Sequence, residues 1–301
     1  MHLQRPPVRI NLIRAVIRSL PRGRHPMMNL LGRWIGTAGS FRGRIGPCRF
    51  VVDLKDLVAK EVYFTGCHEH GFSSLLHTAL RPGGVFVDVG ANFGYFTLLA
   101  RAITGPKGAC VAFEPDPLSL GRLRANLELN GFGDVRVVPK MCGDTTGTRV
   151  FHGMSSELDN WGMASALADV PGSVRMEVPC VRLDDELKAI GIDRVGVCKM
   201  DIEGGELGAL MGFRDGIRLR KVDCFLVECH EAILKSSGQS VGPALALLRD
   251  NGYEIRKVVA SRGAYSLRKF SGTLPLLEPG EPFDPWFHSV AFLTDRCGMP
   301  A

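Results

Sequence analysis

Residues 85–100 read VFVDVGANFGYFTLLA, and no other stretch limits the fold of this chain so strongly. An apolar run closes on Asp88. Three tightly spaced positions follow, Gly90, Asn92 and Gly94, and then an amphipathic run begins. The pattern predicts a buried strand feeding a sharp turn into a helix. Small residues at such a turn keep side chains clear of a ligand, and the helix N-terminus leaves N–H groups open to it. A carboxylate at the end of that strand repels a pyrophosphate but holds an ammonium. The acid therefore points to S-adenosylmethionine rather than NAD.

Strand-like and helix-like runs alternate through the rest of the chain. Strands are expected at 110–114, 135–139, 195–200 and 222–227, an edge strand at 174–183, and closing strands at 253–259 and 288–294. Helices are expected at 93–103, from the cap residue Asp116 through Leu120, Leu123 and Leu127 to Gly131, and from Val241 to Asn251. Ahead of the first core strand come a short strand at 50–53 and one helical run over 56–80, stopped at Arg81-Pro82-Gly83-Gly84. Alternation of this kind predicts an α/β fold with a mostly parallel sheet covered on both faces. Its ligands bind beyond the C-terminal strand edges. Residues 140–175 and 260–287 lack a regular pattern, and choice of substrate is expected to reside there.

Four core strands close on an acid: Asp88, Glu114, Asp201 and Glu228. Glu114 follows Gly90 by 24 residues, near the offset at which a carboxylate accepts ribose hydroxyls in doubly wound folds. Asp144, after the third strand, is either an acceptor for an adenine amino group or a plain turn acid. Residues 199–206, KMDIEGGE, place three carboxylates and a lysine where a buried strand passes into a helix. Helix capping explains some of this charge. It does not explain Asp201 and Glu203 beside a tight glycine pair, so Asp201 is read as facing the cofactor and Glu203 as shaping the acceptor pocket. His230, just past the fifth strand, is the first candidate for a catalytic base, with Asp201 and Glu203 behind it; a structural histidine is the competing reading.

At 301 residues and 45% hydrophobic content, the chain can bury a real core as one large domain with additions. It contains no apolar run long enough to span a bilayer. Residues 10–20 are interrupted by Arg14 and Arg18 and lack a small-residue cleavage site, so a cytoplasmic location is expected. The nine cysteines form no C-x-x-C pair and read as buried thiols in a reducing compartment. His68-Glu69-His70 and Cys229-His230 lack the spacing of a structural zinc site, and nothing in the sequence requires a metal.

The net charge of +6 is unevenly placed. Residues 1–52 hold ten arginines and no Asp, Glu or Lys, so the remainder is mildly acidic. The expected division is a basic helical arm over 1–52 and a catalytic domain over 53–301. Leu12, Ile13, Val16, Ile17 and Leu20 are expected to form one stripe, with Arg9, Arg14 and Arg18 largely off it. Three readings order themselves: a helix packed on the domain, over its active site or at a homodimer interface; peripheral attachment to an anionic membrane; and nucleic-acid binding, which lacks interleaved aromatics and is not expected. An Arg-rich, acid-free start also matches a transit peptide if the source is eukaryotic.

Four blocks, DVGANFGYFTLLA, AFEPDPLSLGRLRANLELNG, CKMDIEGGELGALMG and FLVECH, together resemble the FkbM family of S-adenosylmethionine-dependent methyltransferases over roughly residues 57 to 294. The second half of that signature, K-x-D-x-E-G-x-E, is the specific part. The resemblance implies a Rossmann-like fold of seven strands with the last antiparallel, and methyl transfer to a hydroxyl of a sugar, glycolipid or polyketide-like metabolite. It also implies that Asp88, Gly90, Asn92 and Gly94 form the cofactor loop, with Glu114 on the ribose. Two departures stand out: His288 opens the last strand where Asn is frequent, and Gly205 replaces a common Ala. The competing classes are an NAD-dependent oxidoreductase, disfavoured because the loop reads G-A-N-F-G-Y rather than G-x-G-x-x-G, and a non-catalytic membrane adaptor that retains the fold.

Overall fold

The structure is a computed structural model that describes residues 5–35, 40–153, 173–260, 267, 272–281, 287–292 and 295–297. Two helices, α1 (Val8–Ser19) and α2 (Arg24–Ile35), precede the hairpin β1 (Phe41–Ile45) and β2 (Cys48–Val52). Helices α3 (Leu57–Thr65) and α4 (His70–Ala79) lead into β3 (Val85–Val89), α5 (Tyr95–Thr104), β4 (Ala109–Phe113), α6 (Pro117–Asn130) and β5 (Arg136–Val138). A side sheet comes next, made of β6 (Met141–Cys142), β7 (Gly147–Gly153) and β8 (Val174–Val181). It is succeeded by α7 (Leu183–Ala189), β9 (Val195–Met200), α8 (Glu206–Met211), α9 (Arg214–Arg218), β10 (Val222–Cys229), α10 (Glu231–Ser236) and α11 (Gly242–Asp250). The chain closes with β11 (Glu254–Lys257), the short pair β12 (Val259–Ala260) and β13 (Gly272–Thr273), and β14 (Phe287–Phe292).

The central sheet has the order β11-β14-β10-β9-β3-β4-β5. Strands β5, β4, β3, β9 and β10 run parallel, whereas β14 is antiparallel to both its neighbours. After β3 the chain builds outward through β4 and β5, then returns to place β9 on the other side of β3. The order therefore reverses between β3 and β9, the place where open α/β sheets bind ligands. Most of the two irregular segments expected to select substrate, including 154–172, 261–266, 268–271 and 282–286, lie outside the described residues.

Pleating divides the core. Phe86, Ala112, Val197 and Leu226 join one apolar cluster with α4 and α5, while Val87, Val89, Val111, Phe113, Cys198, Met200 and Val227 join the other. Eight of the nine cysteines are buried and none forms a disulfide, as apolar strand positions favour.

The helical run expected over 56–80 is two helices. Asp56 caps α3 by accepting from the Ala59 N–H at 2.7 Å, and Gly66 ends it in the left-handed conformation at φ 101°. The turn after Gly66 carries His68 and Glu69 to the sheet edge. Helix α1 shows a second difference. Its apolar residues form two faces: Ile10 and Ile17 are fully buried against the domain, whereas Val8, Leu12 and Val16 face outward. Arg18 anchors the inner face by donating to the carbonyls of Val62 and Tyr63 at 2.9–3.2 Å, and Arg24 donates to Thr65 at 2.6 Å. These are the last-turn carbonyls of α3, of which Val62 also accepts from the Gly66 N–H, so the arm shares in capping that helix. Arg18→Ala is expected to lower stability by about 1.5–3 kcal/mol, the range for charge-assisted hydrogen bonds, seen as a lower urea midpoint. The exposed Arg22→Ala should change it by less than about 0.5 kcal/mol.

Candidate active site

The loop between β3 and α5 runs against the neighbouring strand tips. The N–H groups of Gly90 and Ala91 both donate to the Phe113 carbonyl at 3.0 Å, and the Asp201 N–H donates to Val89 at 3.1 Å. Gly90 has φ 82°, and a Cβ there would sit 2.0 Å from the Asp201 carbonyl oxygen, so only glycine fits. Asn92 is also left-handed at φ 50°, and its side-chain oxygen accepts from the Phe93 N–H at 2.7 Å. A Cβ at Gly94 would press 2.6 Å from Leu123, where α5 starts against α6.

Two adjoining cavities open on this loop and share Gly90, Asn92, Asp201 and Glu203. The first is walled by Phe113, Pro115, Met141, Cys142, Phe151 and Ile202, with Glu114, Ser119 and Lys140 as its further polar groups. Glu114 spans the loop, accepting from the Asn92 N–H at 2.7 Å and from the Asp116 N–H at 2.9 Å. Burial outweighs these two donors and pushes its carboxyl up to about 8. Asp144 does not line this cavity. It is exposed beyond the end of β6, where its nearest recorded partner is the Thr145 hydroxyl, and Lys140, Met141 and Cys142 form the wall instead.

The second cavity is acidic. Glu69, Asp201, Glu203 and Glu228 line it together with His68, Lys199, Tyr95 and Phe96. Lys199 is almost fully buried, its ammonium 2.8 Å from Asp201 and 4.7 Å over the Phe96 ring. Burial disfavours that charge, yet Asp201, Glu69 and Asp88 together hold it above its ordinary value. Burial, with Glu69 and Asp201 nearby, pushes Glu228 up to about 10, so Glu228 carries a proton at neutral pH while Glu69 stays ionised beside His68. Glu69 in turn meets His68 at 3.2 Å, and His68 meets Glu61 at 2.7 Å.

Asp88 lies one residue short of the end of β3, so the pleat turns it toward α5. It is fully buried, accepts from the Thr97 hydroxyl at 2.5 Å, and lines neither cavity. Its other oxygen, Oδ1, has no hydrogen-bond partner among the described residues, and burial raises its pKa. Asp88, expected in the cofactor loop, thus faces α5, and the acids that line the second cavity are Glu69, Asp201, Glu203 and Glu228.

His230 is also set back. It is 2% exposed and lines neither cavity. Its Nδ1 lies 2.8 Å from Glu206, which is fully buried, and its Nε2 lies 3.4 Å from Glu203. Burial works against the imidazolium, but Glu206 and Glu203 prevail and raise it to about 9. A histidine already protonated at neutral pH is not a free base. Glu203 takes the forward position: it lines both cavities, and burial, offset in part by His230, pushes it up to about 7.

Ligand-type atoms of Asp201, Glu203 and His230 lie within 4.8 Å of one another, as do those of Glu69, Asp201 and Glu228. Such spacing suits a cation, but the Lys199 ammonium and the His230 imidazolium already neutralise these carboxylates, and no metal is assigned. Sequence reasoning met Glu69 only as part of the His68-Glu69-His70 cluster, a poor zinc match, and did not reach Phe151. The signal for Glu69 was the glycine at 66 inside an otherwise helical run; Phe151 comes from a side-sheet strand with no motif to mark it.

A family model described as the methyltransferase FkbM domain matches residues 88–255 of this chain. The 31-O-demethyl-FK506 methyltransferase FkbM of Streptomyces tacrolimicus is 30% identical over 224 residues, 65% of this chain and 80% of its own. Methyltransferase sdnD of Sordaria araneosa is 27% identical over 229 residues, 66% of this chain and 82% of its own. A solved methyltransferase FkbM from Methylobacillus flagellatus KT aligns at TM-score 0.41 and 18% identity, over 78% of this chain and 54% of that one. The family model covers more than half of the chain, including the β3–α5 loop, Glu114 and the Lys199–Glu206 block, and the chain belongs to the FkbM methyltransferase family.

Proposed function

We propose that the chain binds S-adenosylmethionine and transfers its methyl group to a hydroxyl of a sugar, glycolipid or polyketide-like metabolite. The observation that carries this reading is the pair of cavities, one apolar and one acidic, that meet over Gly90 and Asp201. The first suits a nucleoside: Phe113, Met141 and Phe151 flank its apolar base, and the Glu114 carboxyl group faces the ribose hydroxyls. The second suits a group that is both a cation and a hydrogen-bond donor, since Glu69, Asp201, Glu203 and Glu228 turn their oxygens to one space. Transfer to oxygen is supported by the Streptomyces relative, whose name places its methyl group on an oxygen of FK506.

When bound, S-adenosylmethionine supplies a methyl carbon on a sulfonium, open to in-line attack by oxygen. The chain's own part is placement and proton acceptance. Gly90 and Gly94 keep side chains out of the loop, and Glu114 ties the loop to the tip of β4. Lys199 holds Asp201 at the junction of the cavities. Glu203, partly ionised at neutral pH, would take the acceptor hydroxyl's proton as its oxygen gains the methyl carbon and the C–S electron pair stays on a departing neutral thioether, while the His230 imidazolium orients Glu203 from behind. His230 is thereby a positioning residue, and Glu203 replaces it as first candidate for the base.

Isothermal titration with S-adenosylhomocysteine should give micromolar binding, with NAD silent. Glu114→Ala should weaken it at least about tenfold, since both the loop tether and the hydroxyl acceptor are lost. Binding of NAD in its place overturns the reading. The affinity of S-adenosylmethionine relative to S-adenosylhomocysteine should also depend on pH. As pH rises through about 7, Glu203 ionises and favours the sulfonium, so the ratio climbs. Glu203→Gln should flatten that step. His230→Gln removes a positive neighbour, raises the Glu203 pKa and should move the step to higher pH.

A further inference from the structure

Two features of the arm and its hairpin line neither cavity, and of their side chains Arg14 also stacks on the domain, 4.9 Å over the Tyr63 ring. The outer face of α1 presents Val8, Leu12 and Val16, spaced four apart along one side of the helix, at 76, 63 and 55% exposure. Beside the start of α1 lies a groove lined by Arg5, Arg14, Arg42, Arg44 and Arg49, with Pro6 and Gly43 as its floor. No acid lines this groove, and none occurs anywhere in residues 1–52. Arg44 and Arg49 are direct cross-strand partners on the β1–β2 hairpin. Like charges opposed across a ladder destabilise it, so the fold alone gives no reason for this pairing. An anion between them does.

We propose that this surface docks the protein on an anionic lipid bilayer, with headgroup phosphates in the arginine groove and Val8, Leu12 and Val16 in the interfacial layer. Arginine pairs phosphate oxygens in two-pronged fashion, which fits five guanidinium groups around one concavity. The apolar stripe selects among anionic partners. A polynucleotide or a soluble phosphate ester fills the groove and leaves three apolar side chains in water, whereas a bilayer engages both features. The inner face of the same helix stays packed through Ile10 and Ile17, so docking requires no unfolding. No helix among the described residues is long and apolar enough to cross a membrane, so the contact is peripheral.

Co-sedimentation of the full chain with vesicles tests this. Binding is expected to phosphatidylcholine vesicles containing about 30 mol% phosphatidylglycerol, with none to phosphatidylcholine alone, and a loss of at least about tenfold between about 50 and about 500 mM salt. Arg42→Glu with Arg44→Glu, and separately Leu12→Asp, should each weaken binding at least about tenfold. All three positions are exposed, and unchanged thermal melts will show that the variants fold. Equal binding to neutral vesicles, no binding to either, or no effect of the variants overturns the proposal. So does tighter binding of single-stranded RNA that is lost with the arginine variants and kept in Leu12→Asp. These outcomes are independent of S-adenosylhomocysteine binding, which reports only on the cavities.

Discussion

The backbone of Gly90 passes so near the Asp201 carbonyl that no side chain fits between them, and both cavities are built around that contact. It sets the tips of β3 and β9 edge to edge at the reversal of strand order. With the tips so placed, the loop after β3 is held by the Phe113 carbonyl and the Glu114 carboxylate on one side, and by Asp201 on the other. The result is a ridge of backbone between an apolar hollow and an acidic one. A single ligand that is both a nucleoside and a cation straddles such a ridge, whereas a dinucleotide meets carboxylates where it needs donors.

Gathering so many acids under one sheet edge is costly, because buried charges lose hydration that their partners only partly restore. The chain limits the cost in two ways. Lys199 and His230 are held as cations within the cluster. Glu228 and Glu114 keep their protons into the neutral or alkaline range. Asp88 and Glu206 each still leave one buried oxygen without a hydrogen-bond partner among the described residues, a cost that the fold carries. The remaining negative field is directed at the second cavity rather than spread over the surface.

The strand-turn-helix at 85–100, the capped helix α6 from Asp116 to Gly131, and the strand at 195–200 were legible because each rests on local rules: a period, a cap, a breaker. Glu114, Asp201 and Glu203, which line the cavities, were legible as candidates for the same reason, since a strand tip after an apolar run is visible in one dimension. The positions that escaped depend on the third. Asp88 and His230 sit at strand ends like the others, yet the pleat and the packing of α5 and α8 turn them inward. Asp144 is exposed and off the cavity because its loop leaves the sheet edge. The break at Gly66, which delivers Glu69, is hidden inside a stretch whose apolar periodicity continues on both sides of it.

The family match begins at residue 88, well beyond the arm, and the arm's strong positive charge contrasts with the mildly acidic remainder of the chain. A boundary in composition need not be a boundary in mechanics. The carbonyls that Arg18 and Arg24 hold belong to the last turn of α3, and the next residues of the chain are those that carry His68 and Glu69 to the acidic cavity. His25 and Glu61 join the same network at 2.5 Å. Whatever grips or displaces the arm thus acts, through one helix end and a four-residue turn, on a carboxylate that lines the acidic cavity. The arm is joined to that cavity as a lever is to its load.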